Sequence, residues 1–103
     1  MLESKYQADL IKKLRKRFPG CVILKNDSSY MQGIPDLTIF YGDQWAMLEV
    51  KVDKDSDHQP NQEWYVTELN QMSFAAFIFP ANERKVLNEL QQAFLSRREA
   101  RLS

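Results

Sequence analysis

Residues 33–51 decide the fold: Gly33-Ile34-Pro35-Asp36-Leu37-Thr38-Ile39-Phe40-Tyr41-Gly42-Asp43-Gln44-Trp45-Ala46-Met47-Leu48-Glu49-Val50-Lys51. Leu37–Tyr41 and Trp45–Val52 are rich in β-branched, aromatic and aliphatic side chains and read as strands. Gly42-Asp43 between them is a hairpin-turn dipeptide. With these two as the central pair of the turn, Tyr41 faces Gln44, Phe40 faces Trp45 and Asp36 faces Glu49. Cross-strand partners on one face lie about 4.5–5.5 Å apart at Cβ, and like charges in that position destabilise a sheet. A bound cation is the economical remedy.

Strand parity leads to the same place. Trp45, Met47, Glu49 and Lys51 share one face, while Ala46, Leu48, Val50 and Val52 share the other. A face that carries Trp and Met before Glu and Lys begins apolar and ends charged. Glu49 and Lys51 therefore sit where a buried face opens. Pro35, with Gly33 two residues earlier, turns the chain sharply into the strand and presents Asp36 near its start.

Working outward, Glu3–Arg17 reads as a helix with Tyr6, Leu10, Leu14 and Phe18 recurring every four residues. Pro19-Gly20 ends it. Glu3 lies on the same stripe, and Lys12 and Lys16 lie off it. Cys21–Leu24 is a short apolar strand, and Asn26–Gly33 a polar loop carrying Ser28 and Ser29. Asp53–Asp57 is an acidic loop. Asn61–Met72 reads as a helix with Trp64, Tyr65, Leu69 and Met72 on one side, a set that reads as core rather than as base-stacking platforms. Phe74–Phe79 has the unbroken apolar pattern of a central strand buried on both faces. A last helix starts at Asn82 or Glu83 and reaches Arg98, with Val86, Leu87, Leu90 and Phe94 as its stripe. Arg97, Arg98 and Arg101 read as a frayed end. The order α-β-β-β-α-β-α predicts an α/β fold with a mixed sheet flanked by helices.

The chain has 103 residues, which at roughly 100–200 per domain is one domain, 1–103. Fourteen basic and fourteen acidic residues cancel. Net neutrality argues against a uniformly basic nucleic-acid binder, but the distribution is uneven. Residues 1–25 carry +5, residues 26–83 carry −8 and residues 84–103 carry +3. Such asymmetry points to a charged partner. One cysteine and one histidine exclude a disulfide framework and a zinc finger. The first residues lack the apolar segment of a signal peptide, and no run approaches the ~20 apolar residues of a membrane span. No membrane association and a cytoplasmic protein are the expectation.

Gly33-Ile34-Pro35-Asp36-Leu37, Glu49-Val50-Lys51 and Gln62-Glu63-Trp64 together resemble the PD-(D/E)xK nuclease superfamily. Within it the chain resembles the VRR-NUC nucleases and the archaeal-type Holliday junction resolvases most closely. The resemblance runs from Glu3 to about Phe79. It implies a restriction-endonuclease-like fold and a divalent-metal-dependent endonuclease hydrolysing DNA, with Mg²⁺ or Mn²⁺ as cofactor. It implies Asp36, Glu49 and the Val50 carbonyl as metal ligands, with Glu3 as the family's helix-one glutamate. Lys51 would be the catalytic lysine, and Gln62 the glutamine that lines the site. Ser28 or Ser29 would contact phosphate, as Lys12 and Lys16 could in a nuclease. It further implies a homodimer acting on branched DNA, and a host-cell cytoplasm if the source is a phage, where short members occur. Two rivals stand beside this reading: a non-catalytic nucleic-acid-binding or assembly module of the same fold, and a general nicking or flap nuclease or one acting on RNA.

Overall fold

The computed structural model describes residues 1–102. Its elements are α1 (Glu3–Arg17), β1 (Val22–Lys25), β2 (Leu37–Tyr41), β3 (Gln44–Val50), α2 (Gln62–Met72), β4 (Phe74–Ile78) and α3 (Glu83–Leu102). The expected order of elements is therefore present. The four strands form one mixed sheet in the order β1-β2-β3-β4. The first two pairings are antiparallel, and β3–β4 is parallel.

The hairpin register is the one that a two-residue turn imposes. Tyr41 pairs with Gln44, Phe40 with Trp45 and Leu37 with Leu48. Gly42 takes φ of 64° while Asp43 stays at negative φ, the pattern a II′ turn needs. The pairing ends at Leu37 and Leu48, and just beyond it Asp36 and Glu49 meet through a hydrogen bond.

α1 and α3 cover one face of the sheet. Leu10, Leu14 and Leu90 are fully buried there against Leu37, Ile39, Leu48 and Ile78. Each such side chain contributes on the order of 1.5–3 kcal/mol by leaving water. α2 covers the other face over β3 and β4 only. Val22, Leu24 and Phe40 on the β1–β2 half of that face remain exposed.

Four expectations need correcting. The apolar run from Phe74 forms an edge strand, because β3 alone flanks it. It is covered on both faces nonetheless: Phe74 and Ile78 join the α1–α3 core, and α2 packs on the opposite side. Its outer edge is closed by side chains. Asn70 Oδ1 accepts from the Ala75 N–H at 3.1 Å, and Asn82 bonds both the Phe79 N–H and the Phe77 carbonyl. Second, α2 turns Gln62 and Val66 inward, leaving Trp64 and Met72 exposed at 59% and 67%. The bond from Gln62 into the acidic cluster of β3 sets that rotation. Third, α3 runs to Leu102 rather than ending at Arg98. Arg97 bonds Ser73 and Arg101 pairs with Asp43, so the last turns are tied to the sheet. Fourth, β3 stops at Val50, so Lys51 and Val52 lie just beyond the strand. No helix among the described residues is long and apolar enough to cross a membrane.

Candidate active site

Two carboxylates brace each other across the hairpin. The Asp36 N–H donates to Glu49 Oε1 at 3.1 Å, and the Val50 N–H donates to Asp36 Oδ2 at 2.9 Å. Each acid is thus held by the backbone of the opposite strand. A second tie comes from Asn26, whose N–H donates to the Asp36 carbonyl and whose side chain reaches the Pro35 carbonyl and Thr38 Oγ1. Glu49 is 2% exposed. Burial, reinforced by the neighbouring Asp36 charge, pushes its carboxyl up to about 7. Burial likewise raises Asp36 from its ordinary range. Both shifts favour a proton on the pair, or a cation in its place.

Lys51 enters the same cluster. Its Nζ lies 3.5 Å from Glu49 Oε2 and donates to Gln62 Oε1 and to the Asp57 carbonyl, both at 2.9 Å. Gln62 works as an adaptor: its Nε2 donates to Glu49 Oε2 at 2.6 Å while its Oε1 faces the lysine. The Gln59 N–H also donates to that Oε1, at 2.9 Å. An ammonium has three donors: Gln62 and the Asp57 carbonyl take two, and the third faces Glu49 Oε2.

These groups open into a pocket of about 460 Å³. Glu3, Ser28 and Ser29 line it together with Asp36, Glu49, Lys51 and Gln62. Glu3, the first residue of α1, is exposed and lines the pocket. Ser29 Oγ is engaged by Asp27 Oδ1 at 2.6 Å, which leaves Ser28 as the less committed hydroxyl. Lys12 and Lys16 do not line this pocket. Lys16 lines a separate groove between α1 and α3. Gly33 seals one wall with φ of 92°; a Cβ there would stand 2.6 Å from the Pro60 carbonyl oxygen. Only glycine lets the 26–35 loop approach the start of α2 this closely.

The donor set fits a hard divalent cation. Among the described residues no three His, Cys, Asp or Glu side chains are grouped closely enough to share a metal. Glu3 lines the same pocket without being grouped with Asp36 and Glu49 at metal-sharing distance. Two carboxylates with a backbone carbonyl such as that of Val50, completed by water and substrate oxygens, still match what Mg²⁺ or Mn²⁺ accepts. Nitrogen and sulfur ligands are lacking, which disfavours zinc.

Sequence reasoning missed the lysine's socket. Asp57 and Gln59 contribute backbone groups, which carry no residue-type signal. Between them His58 stacks on Phe77 with ring centroids 4.4 Å apart and bonds Glu63 at 2.9 Å, so the ring anchors the loop on both sides. Phe77 pairs directly with Glu49 in the sheet. No protein-family model, no curated protein and no solved structure matches this chain.

Proposed function

We propose that the chain is a divalent-metal-dependent endonuclease of restriction-endonuclease-like fold that hydrolyses DNA phosphodiesters. The observation that carries this reading is the cluster Asp36–Glu49–Lys51–Gln62: a half-buried and a buried acid braced face to face, with an ammonium fixed 3.5 Å from the buried one. A pair with raised carboxyls has reason to take up a cation. Asp36, Glu49 and the Val50 carbonyl would hold Mg²⁺ or Mn²⁺, which supplies Lewis-acid stabilisation of charge on phosphate. Lys51 would turn its third hydrogen from Glu49 to the attacking water or to a non-bridging phosphate oxygen. Gln62 keeps Lys51 and Glu49 apart and aligned. Ser28, which lines the pocket, would bond a flanking phosphate. Branched DNA cut symmetrically by a homodimer is the first substrate and assembly to test.

The decisive experiment incubates wild type and Asp36→Ala with four-way, flap, nicked and linear DNA, and with RNA, in Mg²⁺, Mn²⁺ or EDTA. Metal-dependent cutting by wild type alone is expected, with the substrate panel naming the preferred structure. Cutting that survives EDTA or Asp36→Ala overturns the metal-site reading. Absence of cutting on every substrate favours the non-catalytic binding or assembly module. Light scattering on the active protein reads the assembly, and a 12.1 kDa monomer overturns the dimer.

A further inference from the structure

The two basic ends of the chain, 65 residues apart between α1 and α3, meet in one layer. Tyr6 and Lys13 both bond Glu83, each at 2.9 Å, and Arg17 bonds Gln91 at 2.7 Å and Asn88. These ties rise together along both helices, so α1 and α3 lie side by side and run in the same direction. Together the two helices carry eleven basic and five acidic side chains, a net +6, and the rest of the chain carries −6. Neutrality in the sequence is a charge separation between layers in the fold.

A groove of about 330 Å³ runs between the helices, lined by Lys13, Lys16, Arg17 and Arg84 above a buried Leu87. Its one acid, Glu83, is already engaged by Tyr6 and Lys13. At 100° per residue Lys5, Lys12 and Lys16 share the outward ridge of α1 beside this groove, with Asp9 the acidic exception. Among the described residues Lys12, Lys16 and Arg84 form no ion pair.

We infer that the α1–α3 layer is a second nucleic-acid contact, separate from the catalytic pocket, that holds the phosphate backbone of a duplex arm leading away from the cut. The inference rests on the nuclease reading for the arm's relation to the cut. The charge and the groove stand independently of it. The absence, among the described residues, of exposed aromatic side chains along the groove and ridge fits backbone contact without base reading. Thirteen residues of helix separate Glu3 at the pocket from Lys16, about 20 Å at 1.5 Å per residue. That is roughly six base pairs of duplex at 3.4 Å each.

The test compares wild type with the triple variant Lys12→Ala/Lys16→Ala/Arg84→Ala. Binding to a 24-base-pair duplex is read by fluorescence anisotropy in EDTA across a salt series. All three residues are exposed, so equal melting temperatures verify the fold. Loss of three phosphate contacts should lower the slope of log K against log salt by about 2 to 3, and weaken binding at least tenfold at low salt. An unchanged slope and affinity overturns the inference. So does a variant that keeps DNA binding but loses binding to anionic lipid vesicles or to polyglutamate. Because nothing is cut in EDTA, a nuclease reading that fails leaves this measurement intact. Normal cutting with an unchanged salt slope sinks the second contact alone.

Discussion

At its closed end the β2–β3 hairpin is secured by packing, and at its open end backbone hydrogen bonds hold together two acids that repel when both are charged. Beside the turn, Tyr41 stands edge-to-face with Phe18 and close to Phe94, with centroids 5.4–5.7 Å apart, and Arg101 pairs with Asp43 on the surface. Thirteen residues separate Asp36 from Glu49 at the other end, where both carboxyls are raised by burial and a lysine is buried with them. One end lowers the free energy of the fold. The other carries a local cost, offset by the rest of the core. Under the proposed function, stability and chemistry would be divided between the two ends of one short motif.

The largest break in this comparison should come from Lys51→Ala. Catalysis should drop by about 10³-fold, since in the proposed mechanism the group would supply its charge where phosphate charge develops. Metal affinity, read by calorimetry with Mn²⁺, should persist. Loss of metal binding instead would assign the lysine a structural role. Phe94→Ala acts at the opposite end. Phe94 is 3% exposed, and its removal should cost about 3–5 kcal/mol in urea unfolding while the folded fraction retains its turnover number.

Glu49→Gln sharpens the contrast by separating stability from activity. Glu49 rises from 4.5 to about 7 on folding. Between those values the native state keeps a proton that the unfolded chain has released, so this group's contribution to stability declines as pH rises through the window. Metal-free wild type should therefore lose melting temperature between pH 5 and pH 8 relative to Glu49→Gln. At pH 8 the variant should be the more stable protein and the inactive one. Mn²⁺ should raise the wild-type melting temperature at pH 8 and leave the variant unmoved. A wild type and variant with parallel pH profiles would contradict the buried acid pair. The smallest effect belongs to Gly42→Ala. Nothing would crowd the new Cβ, so only the backbone at φ of 64° resists, at about 1 kcal/mol and with cleavage unaffected.

Much of the site could be read from local rules. A two-residue turn and a period of two suffice to set Asp36 opposite Glu49 and to put Lys51 on the same face as Glu49. The structure keeps that register through Leu37 and Leu48. Gln62 was legible through resemblance alone. Its adaptor geometry was not, because the amide acts between groups from β3 and the 53–61 loop. Trp64 misled for a related reason. An apolar stripe forecasts burial only if a surface is there to receive it, and the polar bond of Gln62 rotated α2 to present Val66 instead.

By itself the sequence determined the elements, their order, the hairpin register and the identity of the paired acids. All of these follow from turn chemistry and side-chain periodicity among residues close in the chain. The tertiary structure alone decided that β4 is an edge strand, that the Asp57 and Gln59 backbones cradle the lysine and its glutamine, and that two basic ends form one layer. Those outcomes depend on contacts between segments far apart in the chain, which no local pattern encodes and which packing of the three layers selects.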